Sequence, residues 1–274
     1  MPVVRTAGNS RLHSNQQFEG LMKFYLGTNK ANWLQKSTVP LFISHRTLKP
    51  IRTRKPSKVD WCLDSGGFTE LTLHGEWKTS PEEYAFFANM YRNGFGRMQW
   101  ASQQDWMVED FMLKRTGRTL EDHQTLTVQN WLDLKRIAPN FPFIPVIQGQ
   151  TTEHYLDHVR QFKDAGVDLR TFDTVGIGSV CRRQASNEIE PIITELHAYG
   201  LSLHGFGMKT LGLRKIAHKM RSADSMAWSF KARMERLRLP DCTHKAPRCS
   251  DCLTYATQWR NELLDSLPAL ALTA

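Results

Sequence analysis

The stretch DWCLDSGGFTEL, residues 60–71, raises the question on which the fold turns. Trp61, Cys62 and Leu63 form a short apolar run that ends in an acid, Asp64, and stops at once in Ser65-Gly66-Gly67. Such an ending exposes backbone N–H groups and lets main chain come very close to a ligand. An acid placed just before that turn touches whatever lies there.

The same pattern recurs along the chain. Strand candidates are VPLFISH (Val39–His45), VDWCLD (Val59–Asp64), RMQWAS (Arg97–Ser102), PFIPVIQ (Pro142–Gln148), FDTVGIGS (Phe172–Ser179), LSLHGFG (Leu201–Gly207) and DSMAWS (Asp224–Ser229). Helical patterns with clear punctuation lie between them. Ser80-Pro81 with Glu82 and Glu83 starts one, Thr119 caps a second and Pro139 closes it. Thr152 caps a third that ends at Gly166, and Ser186 or Asn187 starts a fourth that ends at Gly200. TLGLRKIAHKM (Thr210–Met220) reads as a further helix before the Asp224 run. Alternation of short apolar strands with helices predicts a parallel sheet covered on both faces. Seven strands are legible and an eighth is not evident. Length and count favour an α/β fold of the (β/α)8 TIM-like barrel type over an open doubly wound sheet, with one irregular stave.

In such a barrel chemistry gathers at the C-terminal ends of the strands. Those ends carry Asp64-Ser-Gly-Gly, Gln104-Asp105, Gln148-Gly149, Gly176-Ile-Gly178-Ser179 and His204-Gly-Phe-Gly207, with Asp224 at the seventh element. One glycine after a strand is usually a turn; a polar group or glycine at each end is a rim built for a ligand. Asp64 and Asp224 are paired acids of the kind that break and remake a glycosidic bond with retention, although each also suits a turn or helix cap. Asp105 and Gln148 together offer donors and acceptors that match a purine edge.

The charge balance points to a polyanion. Lys plus Arg number 36 against 27 acids, a net charge of +9. The excess is concentrated in residues 45–58, which include Arg46, Arg52 and Arg54 and no acid, and in residues 209–260. Basic clusters of this kind suit a phosphate backbone, or simply a solvated face. No apolar run approaches the ~18 residues of a membrane span, and the first residues lack a secretory core, so a cytoplasmic protein without membrane contact is expected. Five cysteines are too few for a disulfide scaffold. Three of them lie within CTHKAPRCSDC, where Cys242, His244, Cys249 and Cys252 make the four ligands of a closed structural zinc site.

LDSGGF, VIQG, GIGS, GFG, the Asp224 strand end and a C-terminal cysteine cluster follow one another as in the tRNA-guanine transglycosylase superfamily, which this chain resembles from about Phe24 to Arg260. FYLGTNKANWLQKSTVPLFISHRTL and the short length look most like its DpdA-like branch of phages and bacteria, whose enzymes put 7-deazaguanines into DNA. The resemblance implies a barrel over residues 24–238, an N-terminal extension over 1–23 and a zinc-binding motif with its helix over 239–274. It implies exchange of guanine in DNA for a preQ0-type base, with Asp64 as general acid/base and Asp224 as covalent nucleophile. Ser65, Gly66, Gly67, Phe68, Asp105, Gln148, Gly178 and Ser179 match positions that contact the base. Arg46, Arg52, Arg54, Arg182 and Arg183 would meet phosphates, Zn2+ would be structural, and an accessory protein is compatible with the pattern. A phage-encoded enzyme would act in the host cytoplasm.

Three features depart from the tRNA enzymes. Thr69 follows GGF where they carry Gln, His244 replaces a cysteine, and the CVxPTR run after the nucleophile is missing. The same exchange on tRNA therefore stays open, as does a non-catalytic nucleic-acid-binding barrel. A metal-dependent hydrolase is disfavoured, because no strand end carries a His pair.

Overall fold

The computed structural model describes residues 22–180 and 189–268. Among them are nine strands: β1 (Lys23–Thr28), β2 (Leu41–Ser44), β3 (Trp61–Asp64), β4 (Met98–Ser102), β5 (Phe143–Ile144), β6 (Val146–Ile147), β7 (Val175–Ile177), β8 (Leu203–Gly205) and β9 (Met220–Ser225). They form one sheet in the order β5-β4-β3-β2-β1-β9-β8-β7-β6, and each pairing is parallel. β5 and β6 are separated by Pro145 alone, so the two ends of the sheet are halves of one stave. Proline has no N–H to give a ladder, which explains why the stave breaks there. The result is an eight-stave, nearly closed parallel barrel of the TIM type, with helices around it.

The helices start where local chemistry asks them to. Ser80 Oγ accepts from Glu83 N–H with Pro81 in the first turn, and Thr119 forms a reciprocal capping box with Asp122. The next helix is capped by Thr151, whose hydroxyl accepts from His154 N–H, one residue before the expected Thr152. The helix Ile189–Ala198 is described from Ile189; its expected start at Ser186 or Asn187 lies outside the described residues.

Two layers of side chains fill the fold. Phe24, Leu26, Leu41, Ile43, Trp61 and Leu63 point outward and are fully buried beneath the helices. Tyr25, Phe42, Cys62, Trp100 and Ile144 alternate with them and fill the barrel interior as a separate cluster, with Phe206 packed against it. Gly176 is small because a Cβ there would stand 2.5 Å from the Phe206 ring.

Two sequence expectations are corrected. The missing eighth stave is β1, placed between β2 and β9. The stave expected over Asp224–Ser229 is instead Met220–Ser225, and Ala227–Met234 is a helix. MRSADS reads poorly as a strand because its alternate residues Ser222 and Asp224 face the barrel interior and rim, where small and polar groups fit. The thirteen-residue helix Leu253–Asp265 packs on β1, with Phe24 and Trp259 rings 6.2 Å apart and Arg260 Nε donating to Phe24 O at 3.2 Å. Among the described residues no helix is long and apolar enough to cross a membrane.

Trp228 ties this closure together: it is fully buried, stacks on Trp33 at 5.4 Å, and its Nε1–H donates to Gly27 O at 2.9 Å. Trp228→Ala should cost about 3–5 kcal/mol in urea denaturation, and Trp228→Phe distinctly less.

Candidate active site at the barrel rim

A cavity of about 290 Å³ opens at the C-terminal ends of the strands, lined by Asp64, Ser65, Gly67, Phe68, Asp105, Gly178, Ser179 and Asp224 among others. Two larger cavities lie elsewhere. One runs beside the helix that follows Asp64, and the other lies at the opposite end of the barrel, between Lys23, Gln99, Asp173 and Arg221. Neither gathers the strand ends.

Asp64 is the last residue of β3, in register with Ser44 at the end of β2. The Ser44 hydroxyl bonds its carboxylate, and Gly66 N–H donates to its Oδ2 at 3.2 Å. Ser65 N–H donates to Ser102 Oγ at 2.9 Å, which pins the turn to β4. Gly66 has φ +83° and a Cβ there would press on Arg46, while one at Gly67 would stand 2.7 Å from the Trp77 ring. The Ser-Gly-Gly turn is thus required by backbone conformation and by space. Phe68 stands at the rim, 45% exposed, its ring 5.9 Å from that of Phe111.

A chain of hydrogen bonds forms the far wall. Gln148 Nε2–H donates to Asp105 Oδ2 at 2.5 Å. Ser179 Oγ lies 2.7 Å from Gln148 Oε1 and 3.0 Å from Glu109 Oε2, and accepts from Val108 N–H at 2.9 Å. Its single proton serves one of the two acceptors at a time. This network holds Ser179 at φ +55°, a left-handed conformation that a serine adopts rarely. Gln148 is fixed from behind: its N–H donates to His158 Nδ1 at 2.8 Å, and Gln124 Nε2–H donates to its carbonyl at 2.7 Å. Burial pushes the His158 ring down to about 3, so it stays neutral and accepts. Gly178 cannot carry a side chain, because a Cβ would run into the Gln148 amide.

Opposite stands Asp224 on β9, in register with Tyr25. Its Oδ1 accepts from Gly207 N–H at 3.1 Å. Asp64, Asp105, Glu109 and Asp224 therefore share one cavity, and two of them, Asp64 and Asp105, are shifted. Burial pushes the Asp64 carboxyl up to about 6, and the Asp224 charge adds to that. Burial pushes Asp105 up to about 7, with the Asp64 charge the next cause. Both carboxyls thus keep a proton to higher pH than an exposed aspartate does.

Ten sequence-predicted catalytic and base-contact residues thus converge: eight line the cavity, Gln148 stands directly behind it, and Gly66 shapes the turn. The arginines separate. Arg46 lies along Gly66 beside the mouth. Arg54 packs over Tyr91 and against Gly94, close to where the chain enters β4 at the other end of the barrel, and Arg52 is exposed in the same loop. Arg182 and Arg183 lie outside the described residues. Glu109, Ser44 and Ser102 are site residues that the sequence reading missed. Ser44 and Ser102 close strands and were findable by that rule, whereas Glu109 sits in an irregular loop with no local signal.

Cys242, His244, Cys249 and Cys252 form a second cluster behind the barrel. Their ligand atoms all lie within 4.8 Å of one another. Cys242 Sγ is 3.4 Å from Cys252 Sγ and 3.6 Å from Cys249 Sγ, and His244 Nε2 is 3.4 Å from Cys249 Sγ. A zinc tetrahedron with bonds of about 2.3 Å has edges of about 3.8 Å, so three thiols and an imidazole at these spacings can bind a metal such as zinc.

Against known proteins, residues 21–273 match the family model DpdA, "DeoxyPurine in DNA protein A". The chain belongs to the DpdA family. The family is named for a deoxypurine in DNA. No curated protein matches the chain. Among solved structures, an isomerase candidate from Sinorhizobium meliloti in an open-loop conformation is 10% identical over 74% of this chain and 50% of that one, with a TM-score of 0.39. The β-methylaspartase of Clostridium tetanomorphum is 12% identical over 90% and 59%, with a TM-score of 0.40. The DpdA-family chain spans between half and three fifths of the length of those two proteins, and likenesses at this level add nothing to the reading of its site.

Because the native Asp105 holds its proton more tightly than an unfolded aspartate, its own contribution to stability is fully present below about pH 4 and is lost as pH rises to about 7. Asp105→Asn should flatten the fall in melting temperature between pH 5 and pH 8. Purified protein should carry about one zinc per chain; Cys249→Ser should lower both metal content and melting temperature.

Proposed function

We propose that this protein exchanges guanine in DNA for a 7-deazaguanine base such as preQ0, by double displacement through Asp224. The observation that carries this reading is the placement of Asp64 and Asp224 on one cavity whose remaining wall is the Asp105–Gln148–Ser179 chain. A purine needs an edge-reading wall, and a glycosidic exchange needs a nucleophile and a proton carrier; the rim supplies all three.

The target nucleotide is flipped out of its strand, at a cost of roughly a few kcal/mol in stacking. Its base enters beside Ser65-Gly66-Gly67, with Phe68 next to it as an aromatic surface. Asp105 reads the Watson–Crick edge, with Gln148 holding its carboxyl from behind. An oxygen of Asp224 then bonds to C1′ as the C1′–N9 bond breaks, and the electron pair leaves with the purine. Asp64 gives that purine a proton, for which a carboxyl held up to about 6 is well matched near neutral pH. The incoming base returns a proton to Asp64, its N9 attacks C1′, and the Asp224 ester bond breaks. Two displacements on opposite sides restore the original configuration.

Arg46 beside the mouth would hold a phosphate next to the flipped nucleotide, with Arg182 and Arg183 proposed for the same task. Arg52 and Arg54 would serve only a strand that wraps toward the far end. Zn2+ is proposed as structural: Cys249 and Cys252 are buried in the main core, and four protein ligands leave no open position for substrate.

Asp224→Ala should abolish exchange of labelled guanine into DNA and remove the covalent protein–DNA adduct on denaturing gels. DNA affinity and zinc content should stay as in the wild type. An Asp224→Ala protein that still exchanges base would take Asp224 out of the role.

A further inference from the structure

His204 is buried completely in the barrel interior, and the edge-reading wall, the Ser-Gly-Gly turn and the metal cluster make no use of it. Trp100, Phe206, Phe42 and Tyr25 surround its ring, with centroids 4.7, 4.8, 5.6 and 6.1 Å away. Such a cage offers the imidazole no water. Its two polar neighbours are both on β9: Nδ1 is 2.8 Å from Ser222 Oγ, and Nε2 is 3.4 Å from Asp224 Oδ1. Apart from that long approach Nε2 has no hydrogen-bond partner, an expensive state for a buried ring nitrogen.

We infer that His204 is a positioning residue for Asp224, acting as a neutral donor whose tautomer is set by Ser222. This inference rests on the nucleophilic role proposed for Asp224. An ionised carboxylate only accepts, so a productive contact requires the proton on Nε2. Nδ1 is then the acceptor, and the Ser222 hydroxyl donates to it. The chain Ser222 O–H to His204 to Asp224 Oδ1 runs in one direction and needs no charge on the ring.

Gly207 N–H donates to the same oxygen. With Oδ1 held from two sides, the carboxylate cannot spin, and Oδ2 is the oxygen offered to C1′. The His204 Nε2–H acts again in the second half-reaction. When the ester breaks, negative charge returns to Asp224, and a preorganised donor in an apolar cage favours that departure. The long 3.4 Å contact is of the kind that tightens once substrate is bound.

The test compares His204→Phe, which keeps ring volume without the donor, His204→Gln, which can still present an amide N–H, and Ser222→Ala. Each is assayed for exchange of radiolabelled guanine into an oligodeoxynucleotide, with kcat, KM for DNA and melting temperature measured together. His204→Phe should lower kcat roughly 10- to 100-fold, the scale of a misplaced reacting group. KM should not move, His204→Gln should recover part of the loss, and Ser222→Ala should lower kcat in the same direction by less. A folded His204→Phe with wild-type kcat, or a loss confined to KM, would overturn the inference. If His204→Phe does not fold, Ser222→Ala decides: reduced kcat at constant KM supports the relay and unchanged kcat overturns it. Asp224→Ala run alongside separates the two levels. An active Asp224→Ala sinks the parent reading and this inference with it, whereas an inactive one beside a normal His204→Phe sinks the inference alone.

Discussion

The pairing of β1 with β9 joins the first and last staves of the barrel, and the active-site geometry depends on it. Tyr25 sits opposite Asp224 in that ladder, and Ser44 sits opposite Asp64 two staves further round. A slip of one residue in either register would turn one of these two carboxylates from the rim into the helix layer. Three independent contacts guard the closure: the Trp228 indole on the Gly27 carbonyl, the Arg260 guanidinium on the Phe24 carbonyl, and the Phe24–Trp259 ring pair. The last two come from the helix that follows the cysteine cluster. Metal binding and active-site geometry are thereby linked through one helix, although the metal ligands stand apart from the cavity.

The second constraint is electrostatic. Four carboxylates around about 290 Å³ cannot all be ionised without strong mutual repulsion. Burial first, and neighbouring negative charge after it, keeps protons on this rim, with Asp64 pushed up to about 6 and Asp105 to about 7, while backbone and side-chain donors meet the other carboxylates. That state destabilises the empty protein at higher pH and suits a reaction that passes one proton out and back. The acidic cavity also contrasts with a chain whose net charge is +9; under the proposed function, phosphates would be drawn to the surface rather than into the cavity.

Much of this was legible in the sequence, for physical reasons that differ by residue. The Asp64-Ser-Gly-Gly turn is local, since strand, acid and obligatory glycines are contiguous. The cysteine cluster is nearly as local, because its four ligands all fall between Cys242 and Cys252. The barrel class followed from repeated alternation, an additive signal that tolerates a missed stave. β1 was missed because KFYLGT follows an uninformative N-terminal stretch and ends in Gly27 and Thr28, which look like a loop. β9 was displaced because its inward residues are polar, and the second half of DSMAWS, which looked like a strand, leads into a helix that buries Trp228 instead. Glu109 and the Ser222–His204–Asp224 relay depend on contacts between separate staves, which no local pattern carries. Charge clustering grouped Arg46 with Arg52 and Arg54, but the loop carries the latter two down the barrel wall.

The central claim is that this cavity exchanges bases in DNA. The most direct measurement gives the purified protein radiolabelled guanine or preQ0 together with single-stranded DNA, duplex DNA or bulk tRNA, and counts label in the recovered nucleic acid. The account predicts label in DNA and none in tRNA. Label in tRNA alone, or DNA that is bound tightly and never labelled, would contradict it.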